Sequence, residues 1–182
     1  MNEKQSHVGY IQCIFAQEHP GRGNWDDMLQ SVRWAHATQI GLRDQGVVAK
    51  VLAGSFSWPV GNGASGGAGS QDVYNLQFSR SDWEAQGPDS QGEYPALYAW
   101  VYLPQSEEIV DLSTRHLKAQ SSRFFPNLNC SELEAPEYLW STIDDLPLGV
   151  DYYADIDATI LVNHVLVPVL QNEANYFPTP TV

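Results

Sequence analysis

The chain has 182 residues, 43% of them apolar and 12% aromatic, which is enough to bury one sizeable core and excludes a wholly disordered chain. Its 22 Asp and Glu against 9 Lys and Arg give a formal net charge of -13, a field that repels phosphate backbones and argues against direct nucleic-acid binding. That charge suits solubility and a monomer, or a protein partner with a basic surface, or a mimic of nucleic-acid charge.

The opening residues, MNEKQSHVGY, lack a basic segment followed by an apolar one, so no signal peptide is expected. Cys13 lies in the apolar run GYIQCIF and reads as a buried structural thiol rather than an activated one. Cys13 and Cys130 together cannot make a disulfide framework, and a reduced, cytoplasmic location is the expectation. The first element the pattern predicts is a helix over Asp26 to Gln45. Asn24 is a candidate N-cap, Asp26 and Asp27 favour the positive end of the dipole, and Met28, Val32, Ala35 and Leu42 recur near the helical period. Gly46 is a natural residue just past its end. Val47 to Trp58 then reads as a strand, rich in β-branched and aromatic residues.

Residues 59–70, PVGNGASGGAGS, have the composition of a flexible, exposed loop. Gly61, Gly63 and Gly66 carry the spacing G-x-G-x-x-G, but a dinucleotide site needs a helix to follow, and QDVYNLQFSR alternates like a strand. No nucleotide or other cofactor is expected. Ala96 to Leu103, a turn at Pro104 to Ser106 and the stretch EEIVDLS form a predicted hairpin. Ala135 to Leu146 reads as a short helix or an aromatic-rich loop. Asp155 to Gln171 reads as a helix or a strand pair, and Pro168 predicts that any helix ends or kinks near Val167. No apolar run reaches the roughly 20 residues of a membrane helix; Ile160 to Leu170 is broken by Asn163, His164 and Pro168. No metal-ligand spacing such as H-x-x-x-H occurs, so no metal is expected. The whole chain, 1–182, reads as a single domain.

The order helix, glycine, strand, long loop, hairpin resembles the transglutaminase-like branch of the papain-like cysteine peptidase fold. Leu42, Arg43, Gly46, Val48 and Ala49 match one family segment. Tyr98, Ala99, Trp100 and Val101 match a second, and Val110, Asp111, Leu112 and Ser113 a third. The resemblance spans roughly residues 24–121. It implies an α+β fold in which a central helix packs on an antiparallel sheet. It also implies a Cys-His-Asp triad at Ser31, Tyr98 and Asp111, and this sequence fills the first two positions with the wrong residues.

That chemistry needs a thiolate, an imidazole to take its proton and a carboxylate to orient the imidazole. A phenol with an ordinary pKa of about 10 cannot readily take a proton from Ser31, and losing a general base alone removes a factor of about 10²–10⁴. A catalytically degenerate domain that binds a protein or small ligand is therefore the leading expectation. The alternative is a working hydrolase or acyltransferase in which Ser31 or Cys13 recruits a histidine, with His116 the nearest candidate after Asp111. Trp34 and Trp100 are core residues by default and candidate ligand-stacking residues, with His116 a third candidate for binding. Trp25, Trp83 and Trp140 lie in turn-rich stretches, where exposure would suggest binding.

Overall fold

A computed structural model describes residues 3–20, 29–59, 73–86, 96–124 and 133–176. The chain builds an α+β architecture: two N-terminal helices lie on one face of a six-stranded antiparallel sheet. They are α1 (Glu3–Glu18) and α2 (Gln30–Asp44). The strands are β1 (Lys50–Pro59), β2 (Val73–Leu76), β3 (Tyr98–Leu103), β4 (Glu108–Asp111), β5 (Leu139–Thr142) and β6 (Asp151–Ala154). A short helix, α3 (Arg80–Gln86), follows β2, a 3-10 turn (Thr114–His116) and α4 (Leu117–Phe124) follow β4, and α5 (Ile156–Leu161) and α6 (Val167–Tyr176) close the described chain. No described helix is long and apolar enough to cross a membrane.

The helix expected over Asp26 to Gln45 is present from Gln30; Asn24, Asp26 and Asp27 lie outside the described residues. It stops where the sequence says it should. Gly46 takes φ 79°, its amide donates to Arg43 O at 2.9 Å, and Val47 N reaches back to Leu42 O at 2.9 Å. That is the paired Schellman closure, which needs a left-handed residue and so favours glycine.

Strand alternation sorts the sheet into two apolar faces. Ala53 of β1, Ala99 and Val101 of β3 and Val110 of β4 join Val32 and Ala35 of α2 and Leu161 and Leu170 of the C-terminal helices in one core. The residues between them, Phe56, Tyr98, Trp100 and Ile109, join Tyr152 of β6 and Leu117 of α4 in a second core on the opposite face. The sequence reading passes over α1, although Val8, Ile11, Ile14 and Phe15 sit at helical spacing and are all buried. Gly41 lets α1 approach α2 closely, since a Cβ there would stand 2.9 Å from Ile11 Cγ1. Cys13, expected to be buried, is exposed, because it lies off the buried stripe of α1.

Strand β1 organises the sheet. Gly54 pairs with Tyr98 of β3 and also with Ala154 of β6, so β3 and β6 lie on its two edges. The hairpin of β3 and β4 forms as expected, with Val101 opposite Val110. Within Ala135 to Leu146, the expected helix or loop is instead strand β5 followed by a 3-10 turn; Leu139 and Trp140 pair with Asp111 and Val110, and Leu139 faces the second core. Asp155 to Gln171 is helical throughout, and Asp155 caps α5 by accepting from Ala158 N at 2.9 Å. Ahead of Pro168 the helix widens into a π turn (Val162–Leu166), which accommodates a residue that cannot donate to the carbonyl four positions back. Residues 60–72, with most of the glycine-rich loop, lie outside the described residues, and the first described element after them is strand β2.

The two best-defined glycines are expected to respond very differently to substitution. A Cβ on Gly54 would stand 2.0 Å from the Tyr153 carbonyl oxygen, which is backbone and cannot rotate aside. Gly54→Ala should therefore destabilise by about 3 kcal/mol or more and loosen β6. Gly46→Ala meets open space and should lose only about 1–2 kcal/mol through its left-handed backbone. Urea denaturation of both variants, with amide exchange at β6, measures the difference.

Candidate functional site

Ser31 sits in the first turn of α2 with its side chain buried toward the sheet. Its Oγ accepts the amide of Ala99 at 3.2 Å, just where the pairing of β3 with β4 has run out. Tyr98 is the next residue along β3, so its ring projects to the opposite face, into the second core. There it stacks on Phe56 at 4.0 Å between ring centroids.

Asp111 ends β4 on the same face as Tyr98 and is 2% exposed. Its Oδ2 accepts from Tyr98 Oη at 3.0 Å and from Tyr152 Oη at 2.8 Å. Its Oδ1 accepts from Ser113 N at 2.8 Å and Ser113 Oγ at 2.7 Å, a local turn in which the carboxylate caps the chain two residues on. Burial pushes the Asp111 carboxyl above its ordinary range, against the pull of these four donors. Burial, with the Asp111 charge adding to it, holds the Tyr98 and Tyr152 phenols well above theirs, so both remain protonated donors at neutral pH.

The structure thus brings Tyr98 and Asp111 together and leaves Ser31 on the other side of the sheet. No imidazole hydrogen-bonds to Ser31 or Asp111 among the described residues. His116 lies beside the start of α2, where its Nε2 accepts from Trp34 Nε1 at 3.0 Å and sits 3.4 Å from Gln30 Nε2. Trp34 is buried, stacked on Phe15 of α1 at 3.8 Å and covered by the Arg115 guanidinium at 4.8 Å. It is a packing residue between the two helices. Trp140 is half-buried, with Lys4 over its ring and His7 beside it, while Trp25 and the Trp83 side chain lie outside the described residues. His7 meets Gln45, and His164 is exposed on the π turn.

Trp100 belongs to a different feature. Strands β1, β3, β4 and β6 and the 3-10 turn after β5 enclose a cavity of about 390 Å³ on the second face. Leu52, Ile109 and Ala154 form part of its apolar lining, Trp100, Tyr102 and Tyr152 supply aromatic surface, and Ile143 and Glu107 complete it. Trp100 and Tyr152 meet edge to face at 5.1 Å and 62°. This cavity was not legible in the sequence beyond Trp100 itself, because its residues are drawn from five separate segments. Among the described residues, no group of three or more His, Cys, Asp or Glu is placed to hold a metal ion. No family model matches the sequence, and neither the curated proteins nor the solved structures provide a match.

Two expected outcomes follow from these placements. Ser31→Ala deprives the buried Ala99 amide of its acceptor and should lower stability by about 1–3 kcal/mol in chemical denaturation. His36 is buried on α2, edge-on to His19 at 5.7 Å, and its burial holds its pKa below the usual 6.5, with Glu18 opposing weakly. A lowered imidazole pKa favours the neutral form in the fold. Its stabilising contribution is full above about pH 6.5 and is lost as pH falls through the depressed value. His36→Gln should therefore flatten the fall in Tm on acidification, measured between neutral pH and pH 5; an unchanged slope would remove His36 from the acid response.

Proposed function

We propose that the chain is a catalytically degenerate transglutaminase-like domain that acts by binding a protein or small ligand, with the aromatic cavity on the outer face of the sheet as its binding site. The observation that carries the reading is the separation of the triad positions. Ser31 faces the helices, whereas Tyr98 and Asp111 face away, and all three are engaged in hydrogen bonds that stabilise the fold. An acyl-transfer centre needs nucleophile, base and orienting acid in one chain of contacts. The papain-like topology is supported by the order α2, Gly46, β1 and the β3–β4 hairpin, and by the matching segments quoted above.

The binding half of the reading rests on shape and chemistry. A cavity of about 390 Å³ lies within the size range of small-molecule sites, and an apolar, aromatic lining with few polar groups is their usual composition. The net charge of -13 complements a basic surface, so a protein partner would associate faster at low salt.

Two measurements test the reading together. A fluorophosphonate probe should leave Ser31 unlabelled, and stoichiometric labelling would restore the hydrolase. A fragment screen by protein NMR should move the Trp100 indole resonance saturably. Ile143→Arg, at a position 61% exposed and therefore tolerant of substitution, should block the response without lowering Tm by more than a degree or two.

A further inference from the structure

The binding reading leaves the nature of the ligand open, and the lining of the cavity narrows it. Glu107 is the one acidic or basic side chain in that lining, and it is exposed. It makes no ion pair among the described residues. Its neighbour Glu108 is engaged in the other direction, accepting from Lys4 Nζ at 2.7 Å and from Ser106 Oγ at 2.8 Å. The turn between β3 and β4 holds Glu107 at φ 57°, the single positive φ of a non-glycine residue among those described. A left-handed glutamate is uncommon and carries a conformational penalty, so its retention at the mouth of a cavity points to a role for its carboxylate.

The walls are equally specific. Trp100 and Tyr152 stand edge to face, with Tyr102 also in the lining. The Tyr152 hydroxyl is committed to Asp111 at 2.8 Å, which leaves its ring as the part available to a ligand. Aromatic faces attract cations through the ring quadrupole, most strongly where water is excluded. Lys50 pairs with Tyr102 across β1 and β3 but does not line the cavity. An anionic ligand would meet Glu107 with like charge, and a neutral apolar ligand would leave that carboxylate without a counter-charge.

We infer that this cavity binds an organic cation of the alkylated ammonium type, with Trp100, Tyr102 and Tyr152 around the cationic head and Glu107 opposite it. The inference rests on the binding reading above and specifies its ligand. Two sources carry the same chemistry, a free quaternary ammonium compound and a methylated lysine side chain on a peptide. The cavity is indifferent to which of them supplies the head, so their separate affinities identify the source.

The experiment titrates the intact chain by calorimetry and by NMR with choline, with its neutral isostere 3,3-dimethylbutan-1-ol, and with a short peptide carrying trimethyllysine or unmodified lysine. The expected result is saturable binding of choline or of the trimethyllysine peptide, with movement of the Trp100 indole. The neutral isostere should bind about tenfold more weakly, as loss of a desolvated cation–π contact predicts. Glu107→Gln should weaken the cation by about the same factor, leave the isostere unaffected and leave Tm unchanged; Tyr102→Leu should weaken the cation as well. If the isostere binds as tightly as the cation, the cationic inference is overturned while the cavity remains a binding site. If none of the four probes binds at millimolar concentration but fragments still move Trp100, the inference fails alone. If nothing moves Trp100, both fail.

Discussion

A carboxylate buried between three strands is the constraint around which this structure is arranged. Asp111 sits at the end of β4 and accepts from a tyrosine of β3, a tyrosine of β6 and the backbone and hydroxyl of Ser113. Burying an ionised carboxylate without donors is strongly unfavourable, so the network holds only while all four partners are in place. Because β3 and β6 lie on opposite edges of β1, the carboxylate ties together strands that do not pair with each other. The raised pKa of Asp111 records that burial outweighs the donors. The interaction therefore specifies geometry more than it contributes net stability, as buried polar groups do when fully satisfied.

Gly54 makes that geometry possible. Strand β6 crosses β1 so closely that the Tyr153 carbonyl occupies the space a side chain would take. The close approach brings Tyr152, one residue earlier, over the second face, where its hydroxyl meets Asp111 and its ring meets Trp100. Beyond β6, helix α5 continues the contact with β1: Thr159 Oγ1 accepts from Ala53 N at 3.0 Å and Asp155 N donates to Ala53 O at 2.9 Å. The cavity, the buried carboxylate and the C-terminal helix thus depend on one residue without a side chain.

Local signals were legible in the sequence where one short segment decides the outcome. The Schellman closure at Gly46 and the turn after Leu103 are of that kind. Helix α1 was also available from Val8, Ile11, Ile14 and Phe15, but the apolar run around Cys13 drew attention to the thiol rather than to the spacing. What strand sequences withhold is the assignment of faces. A motif match fixes order along the chain, yet in a strand a shift of one residue moves a side chain to the other side of the sheet. Ala99, not Tyr98, is the residue of β3 on the Ser31 side. The cavity was hidden for the related reason that its lining depends on which edges of β1 the later strands occupy.

Whether the helix side of the sheet could still support catalysis turns on His116, the described histidine placed against the first turn of α2. An indole nitrogen can only donate, so the 3.0 Å contact from Trp34 makes His116 Nε2 an acceptor and puts the proton of the neutral ring on Nδ1. A base for Ser31 would need that same Nε2 lone pair, or a tautomer shift that breaks the Trp34 bond. Trp34 cannot easily follow, because it is held between Phe15 and the Arg115 guanidinium. Ser31 is constrained as well, its oxygen engaged by the Ala99 amide and its surroundings lacking the second donor that an oxyanion would require. Turning these residues into a catalytic pair would mean dismantling the packing of α1 on α2. The outer cavity asks for no such rearrangement, and its aromatic faces and the Glu107 carboxylate already line the space a ligand would fill.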